Sequence, residues 1–128
     1  MPENDQFEYA VVRIVPQVER EEFLNVGVVL FCAKQKFLEM MYELNENRLQ
    51  AFCPQVDIEE VREYLRAFEQ ICMGSVDAEP IAKLPIAERF RWLTATRSTM
   101  VQTSKVHPGL CSDAAEMLKK IYVQQVMQ

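Results

Sequence analysis

The chain of 128 residues is 49% hydrophobic and 26% charged, which fits one globular folding unit, because domains cluster at roughly 100 to 150 residues and two would each lack core. Its net charge of −5 argues against nucleic-acid coating or binding to anionic membranes, and its longest apolar run, residues 26–33, falls far short of the ~20 residues that span a bilayer. Four cysteines without a C-x-x-C pair and a single histidine are poor metal-site spacing, and no basic, apolar leader opens the chain; the expectation is a cytoplasmic protein with reduced thiols, no metal and no cofactor.

Residues 1–6 read as a flexible tail and 7–128 as a single domain. Residues 7–15 are rich in β-branched and aromatic side chains and stop at Pro16, which predicts a strand. Alternation puts Phe7, Tyr9, Val11, Arg13 and Val15 on one face and Ala10, Val12 and Ile14 on the other. Both faces are largely apolar, so this strand is expected at the centre of a sheet covered at least partly on each side. The charged stretch 19–22 leads into a second, apolar strand over 23–31, whose Gly27 suggests a bulge or a close backbone approach. Residues 37–44 carry Leu38, Met40, Tyr42 and Leu44 on one face with Glu39 and Glu43 on the other, the pattern of a half-solvated third strand that completes an antiparallel meander.

A short helix is predicted over 45–52, ended by Pro54. Asp57 with Glu60 three residues on reads as an N-cap, and Ile58, Val61, Leu65, Phe68 and Cys72 follow at helical spacing up to Gly74, a C-terminal cap. After a connection over 75–85, Pro85 opens another helix with Ile86, Phe90 and Leu93 inward. Residues 100–103 read as a fourth strand, and Val106-His107-Pro108-Gly109 reads as a turn from its Pro-Gly pair. The last helix starts near Ser112 or Asp113 and turns Met117, Leu118, Ile121 and Tyr122 to the core. Helices grouped rather than alternating with strands imply an α+β fold: an antiparallel sheet of about four strands, a meander plus one later strand, packed with two main helices and one or two short ones.

With three glycines in all, neither dinucleotide nor Walker-type phosphate loop can be written, and no metalloprotease, serine-hydrolase or kinase signature occurs. No catalytic residue and no metal ligand is assigned. The unusual stretch is 89–112, which holds no Asp or Glu but Arg89, Arg91, Arg97 and Lys105, while the rest of the chain carries 10 of the 14 basic and all 19 acidic residues. Guanidinium and hydroxyl donors suit phosphate or carboxylate, so Arg13, Arg97, Ser98, Thr99, Gln102 and His107 form a candidate anion site, with Arg89, Arg91, Trp92 and Lys105 as a candidate contact surface. The competing readings are structural. Arg89 and Arg91 can pair with surface carboxylates, Arg13 can pair with Glu19, Glu21 or Glu22, and Trp92 and Phe90 can be core. His107 can be a general base, an anion-pocket tip or a solvated turn residue, and no sequence neighbour orients it toward Cys111 as a nucleophile.

Three segments carry a family resemblance: Tyr9-Ala10-Val11-Val12-Arg13-Ile14-Val15-Pro16; Glu19-Arg20-Glu21-Glu22-Phe23 with Asn25-Val26-Gly27-Val28; and Phe90-Arg91-Trp92-Leu93 through Arg97-Ser98-Thr99 to Gln102, Ser104, Val106-His107 and Gly109. In these the chain resembles, over nearly its full length, the bacterial domain-of-unknown-function family numbered 3037. Pro108 departs from the small polar residue expected there. The resemblance supplies no activity; it implies an accessory role beside a kinase-like protein of the HipA type. The leading expectation is therefore a non-enzymatic interaction module with a protein partner. The alternatives are a small anion- or phosphate-binding domain or enzyme using residues 97–107, and a nucleic-acid contact through the same basic patch.

Overall fold

The computed structural model describes residues 5–16, 22–97 and 99–127. β1 (Asp5–Ile14), β2 (Leu24–Cys32) and β3 (Phe37–Tyr42) make the expected antiparallel meander, and β4 (Val101–Thr103) and β5 (His107–Cys111) both pair with the free side of β1. β4 pairs residues 12–14 and β5 pairs residues 5–9, so the two lie end to end along one edge. Asp5 and Gln6, assigned to the tail from sequence, instead pair with Cys111 and Leu110.

The expected turn at 106–109 is a second correction, because His107, Pro108 and Gly109 are ladder residues of β5. Proline is tolerated there for a geometric reason. The Val15 N–H donates to Met100 O and the Ser104 N–H to Val11 O, so odd-numbered residues of β1 turn their hydrogen-bonding groups toward this edge. Pro108 opposes Glu8, a position between those bonds, and its missing N–H falls on the solvent side of an edge strand.

Ser104 joins β4 to β5. Its Oγ accepts the Val11 N–H at 2.8 Å and donates to the Lys105 carbonyl at 2.9 Å, while its N–H donates to Val11 O at 2.9 Å. The hydroxyl thus replaces the carbonyl that a regular ladder would offer. One extra residue is taken up in the bend, so His107 rather than Val106 stands opposite Tyr9.

Both faces of the sheet are covered, as the apolar alternation of β1 requires. On one face Ala10, Val12, Ile14, Val29 and Phe31 pack under α2 (Ile58–Met73) and α3 (Ile86–Leu93), which contribute Val61, Leu65, Phe68, Phe90 and Leu93. On the other, Phe7, Val28, Leu30 and Cys32 pack under Leu118, Ile121 and Tyr122 of α4 (Ala114–Val126). Fully burying each Val, Leu, Ile or Phe among them stabilises by about 1.5–3 kcal/mol, so these two layers hold the fold together. β3 is less solvated than its sequence suggests, because Phe37 and Met41, beside Glu39 on its second face, pack into the α4 core.

The caps fall where sequence puts them. Asp57 accepts the Glu60 N–H at 3.2 Å, Gly74 ends α2 at φ 71°, and Asp113 caps α4. Short α1 (Glu46–Phe52) is held to α2 by Arg62, which bridges Glu46 and Glu59. Gly27 meets both expectations made for it. The β1–β2 register shifts at this point, and a Cβ here would lie 2.5 Å from Met41 O and 2.7 Å from Tyr42 Cβ.

Candidate functional site

α4 packs across β2 and β3, leaving the β1, β4 and β5 side of that sheet face more open. Tyr9, Arg13 and Gln102 are half-buried on it and His107 is exposed. Arg13 pairs in register with Asn25 on one side and Gln102 on the other, so three polar side chains form a row across β2, β1 and β4. Directly opposed side chains in a sheet stand about 4.5–5.5 Å apart at Cβ.

The row is anchored at both ends. Asn25 Nδ2 donates to Gln125 O of α4 at 3.3 Å, and Gln102 Nε2 donates to Thr99 O at 2.9 Å. The Thr99 hydroxyl is engaged too, donating to Val101 O at 2.9 Å. Between these anchors the Arg13 guanidinium lies 4.0 Å from the centroid of the Phe23 ring, which is 45% exposed. A cation over an aromatic face gains about 0.5–2 kcal/mol but satisfies no N–H. Arg13 Nε and Asn25 Oδ1 are both buried and both lack a hydrogen-bond partner among the described residues. Burial lowers the Arg13 pKa from its ordinary value, although the group stays charged at neutral pH. Of its three expected carboxylate partners, Glu19 and Glu21 lie outside the described residues.

His107 shares this face without joining the row. Its ring centroid is 5.2 Å from that of Tyr9, and Tyr9 is four residues from Arg13, about 13 Å along a strand. Arg97 is elsewhere. Its guanidinium is 5.1 Å from the Phe68 ring and 4.6 Å from the Trp92 ring, on the α2–α3 side of the sheet. It donates to the Trp92 and Ala95 carbonyls, satisfying acceptors at the end of α3, and burial lowers its pKa. The structure thus brings Arg13 and Gln102 together, leaves His107 a strand-length away and puts Arg97 across the sheet. Ser98 lies outside the described residues.

The contact-surface residues also have separate partners. Arg91 makes a bidentate pair with Glu8, at 2.7 and 2.9 Å, which raises its pKa. Arg89 donates to Ala82 O at 3.1 Å and lies against Gly74, where a Cβ would strike its guanidinium. Phe90 is fully buried, Trp92 is 38% exposed beneath Arg97, and Lys105 is exposed. The basic charge that reads as one stretch in sequence is therefore distributed over α3, its C-terminus and the β4–β5 bend.

A model of the family described as "Protein of unknown function (DUF3037)" matches residues 9–126. The chain belongs to this family. The matched stretch of the DUF3037 domain opens at Tyr9 and takes in Arg13, Gln102, Ser104 and His107. No curated protein and no solved structure matches the chain.

Among the described residues of this DUF3037 domain, no group of three or more His, Cys, Asp or Glu is placed to hold a metal ion, and no helix is long and apolar enough to cross a membrane. All four cysteines are free and buried, and burial pushes the Cys72 thiol up to about 12. Sequence reasoning passed over three contributors: Phe23, Asn25 and Ser104. Asn25 carried a legible signal, as the one polar side chain in an otherwise apolar strand. Phe23 and Ser104 stood out only within the family-resemblance segments, since their structural roles arise from cross-strand position.

Proposed function

We propose that this domain is a non-enzymatic binding module that engages an anionic side chain of a protein partner at Arg13. The observation that supports this is the pairing of a buried, unbonded donor, Arg13 Nε, with a buried, unbonded acceptor, Asn25 Oδ1, on register-adjacent residues. Buried polar groups of this kind cost free energy until a partner meets them. A carboxylate or phosphate can accept from the half-buried Arg13 guanidinium, and its negative charge offsets the partly desolvated cation. The exposed Phe23 ring under the Arg13 guanidinium supplies the arginine-and-aromatic setting that anchors protein contacts. The kinase-like partner implied by the family resemblance would present a phosphorylated residue, and an unmodified partner a carboxylate.

The test is an NMR titration of isotopically labelled protein with inorganic phosphate, with acetate, and with short peptides bearing phosphoserine or aspartate. The expected result is saturable shifts at the Arg13 Nε–H, Asn25 and Gln102 signals that vanish in Arg13→Gln. The phosphate and carboxylate arms distinguish the two sources of charge. Shifts that persist unchanged in Arg13→Gln, or their absence with every anion, would overturn the proposal.

A further inference from the structure

The two edges of the sheet are finished differently. On the β5 edge, Pro108 removes an outward N–H and the Ser104 bend interrupts the strand, features that discourage addition of another strand. The β3 edge has neither. Glu43 N–H donates to Val26 O at 3.0 Å, which fixes the alternation of the β2–β3 ladder. Phe37, Glu39, Met41 and Glu43 turn their backbone groups toward β2, and Leu38, Met40 and Tyr42 turn theirs outward. No strand pairs with those outward groups among the described residues.

Two open clefts border this edge, of about 480 Å³ beside Met73 and about 610 Å³ beside Tyr122, and Met40 and Glu69 line both. Met40, Met41 and Met73 give the walls unbranched, adaptable side chains that fit varied apolar partners. Carboxylates outnumber cations along this edge, although Arg89 acts on Cys72 in the cleft beside Met73. Glu39 and Glu43 are exposed, Glu69 accepts from Tyr42 Oη at 3.2 Å, and Arg66 is the cation that acts on Tyr42.

We propose that the outer edge of β3 is a docking slot for an extended, lysine- or arginine-rich segment of another protein, which adds to the sheet as a strand. Main-chain hydrogen bonds to Leu38, Met40 and Tyr42 supply affinity, and the carboxylates select basic side chains. A second copy of this chain is the wrong occupant, since antiparallel pairing of two β3 edges would crowd both copies' Glu39, Glu43 and Glu69 together. The slot lies on the opposite side of the sheet from β4 and β5, and this inference does not depend on the Arg13 reading.

The experiment uses the full chain with a short peptide of alternating lysine and valine, and a glutamate–valine peptide as control. Amides of Leu38, Met40 and Tyr42 should shift and exchange more slowly with the basic peptide only. Affinity should fall at least tenfold in Glu39→Lys/Glu43→Lys, two exposed positions. It should be lost in Met40→Pro, which removes an outward N–H that the β2 ladder does not use. If Met40→Pro fails to fold, the charge-swap variant decides. Arg13→Gln should leave this binding unchanged, which separates it from the anion site. Basic-peptide binding that is indifferent to the charge swap, shifts confined to other elements, or sedimentation showing a dimer that Met40→Pro disperses would each overturn the inference.

Discussion

Replacing Ser104 by alanine should destabilise the protein more than loss of a serine in an ordinary loop. In the native state the hydroxyl accepts the Val11 N–H at 2.8 Å, and Val11 is buried at the centre of β1. Alanine leaves that N–H without an acceptor, and an unsatisfied buried donor costs about 1–3 kcal/mol, a sizeable share of a typical ~5–15 kcal/mol total. The second bond, to Lys105 O, adds little, because Lys105 is exposed and water can take over. At roughly 4 °C per kcal/mol for a chain of this size, Tm should fall by about 4–12 °C. Urea unfolding followed by Trp92 fluorescence should show a lower midpoint with unchanged m, and the Val11 amide should lose hydrogen-exchange protection. Ser104→Thr, which keeps the hydroxyl, should recover part of the loss. The same substitution should weaken the Tyr9–His107 ring contact, because Ser104 holds the bend that puts His107 opposite Tyr9. A stability change under ~0.5 kcal/mol with Val11 protection intact would refute this reasoning.

Two further predictions concern the core. Gly27→Ala should cost about 1–3 kcal/mol in chemical denaturation, since the new Cβ would meet the Met41 backbone oxygen at 2.5 Å and backbone cannot swing aside as a side-chain end can. For Cys72, burial raises the folded-state pKa from 9.0 to about 12, so the unfolded chain loses this proton first. The contribution to stability is therefore complete below pH 9 and declines as pH rises from 9 toward 12. Urea unfolding of the native protein and of Cys72→Ala should give a difference that is constant up to pH 8 and shrinks above pH 9. Iodoacetamide at pH 8 should leave Cys72 unmodified until the protein is unfolded.

The elements that sequence alone determines are those whose information is local. Alternation in β1 sets which residues share a face, because the side-chain period of a strand is two, and the structure keeps Tyr9, Val11 and Arg13 on one side and Ala10, Val12 and Ile14 on the other. Asp57, Gly74 and Asp113 mark helix ends through their own backbone and side-chain chemistry, and each does so here. Pro108-Gly109 misled because proline's local preference is for turns, whereas tertiary pairing to β1 needed only that its missing N–H face outward. The acid-free stretch 89–112 was legible as composition but not as a site. Whether its cations gather depends on which side of the sheet each element lands. α3 carries Arg91 and directs Arg97 to one side, while the register of β4 puts Gln102 beside Arg13 on the other. Register and layer are fixed by contacts between residues tens of positions apart, with Arg13 facing Asn25 and Gln102, and Val11 held by Ser104. Such pairings leave no periodic trace in a single sequence, so only the tertiary structure decides them.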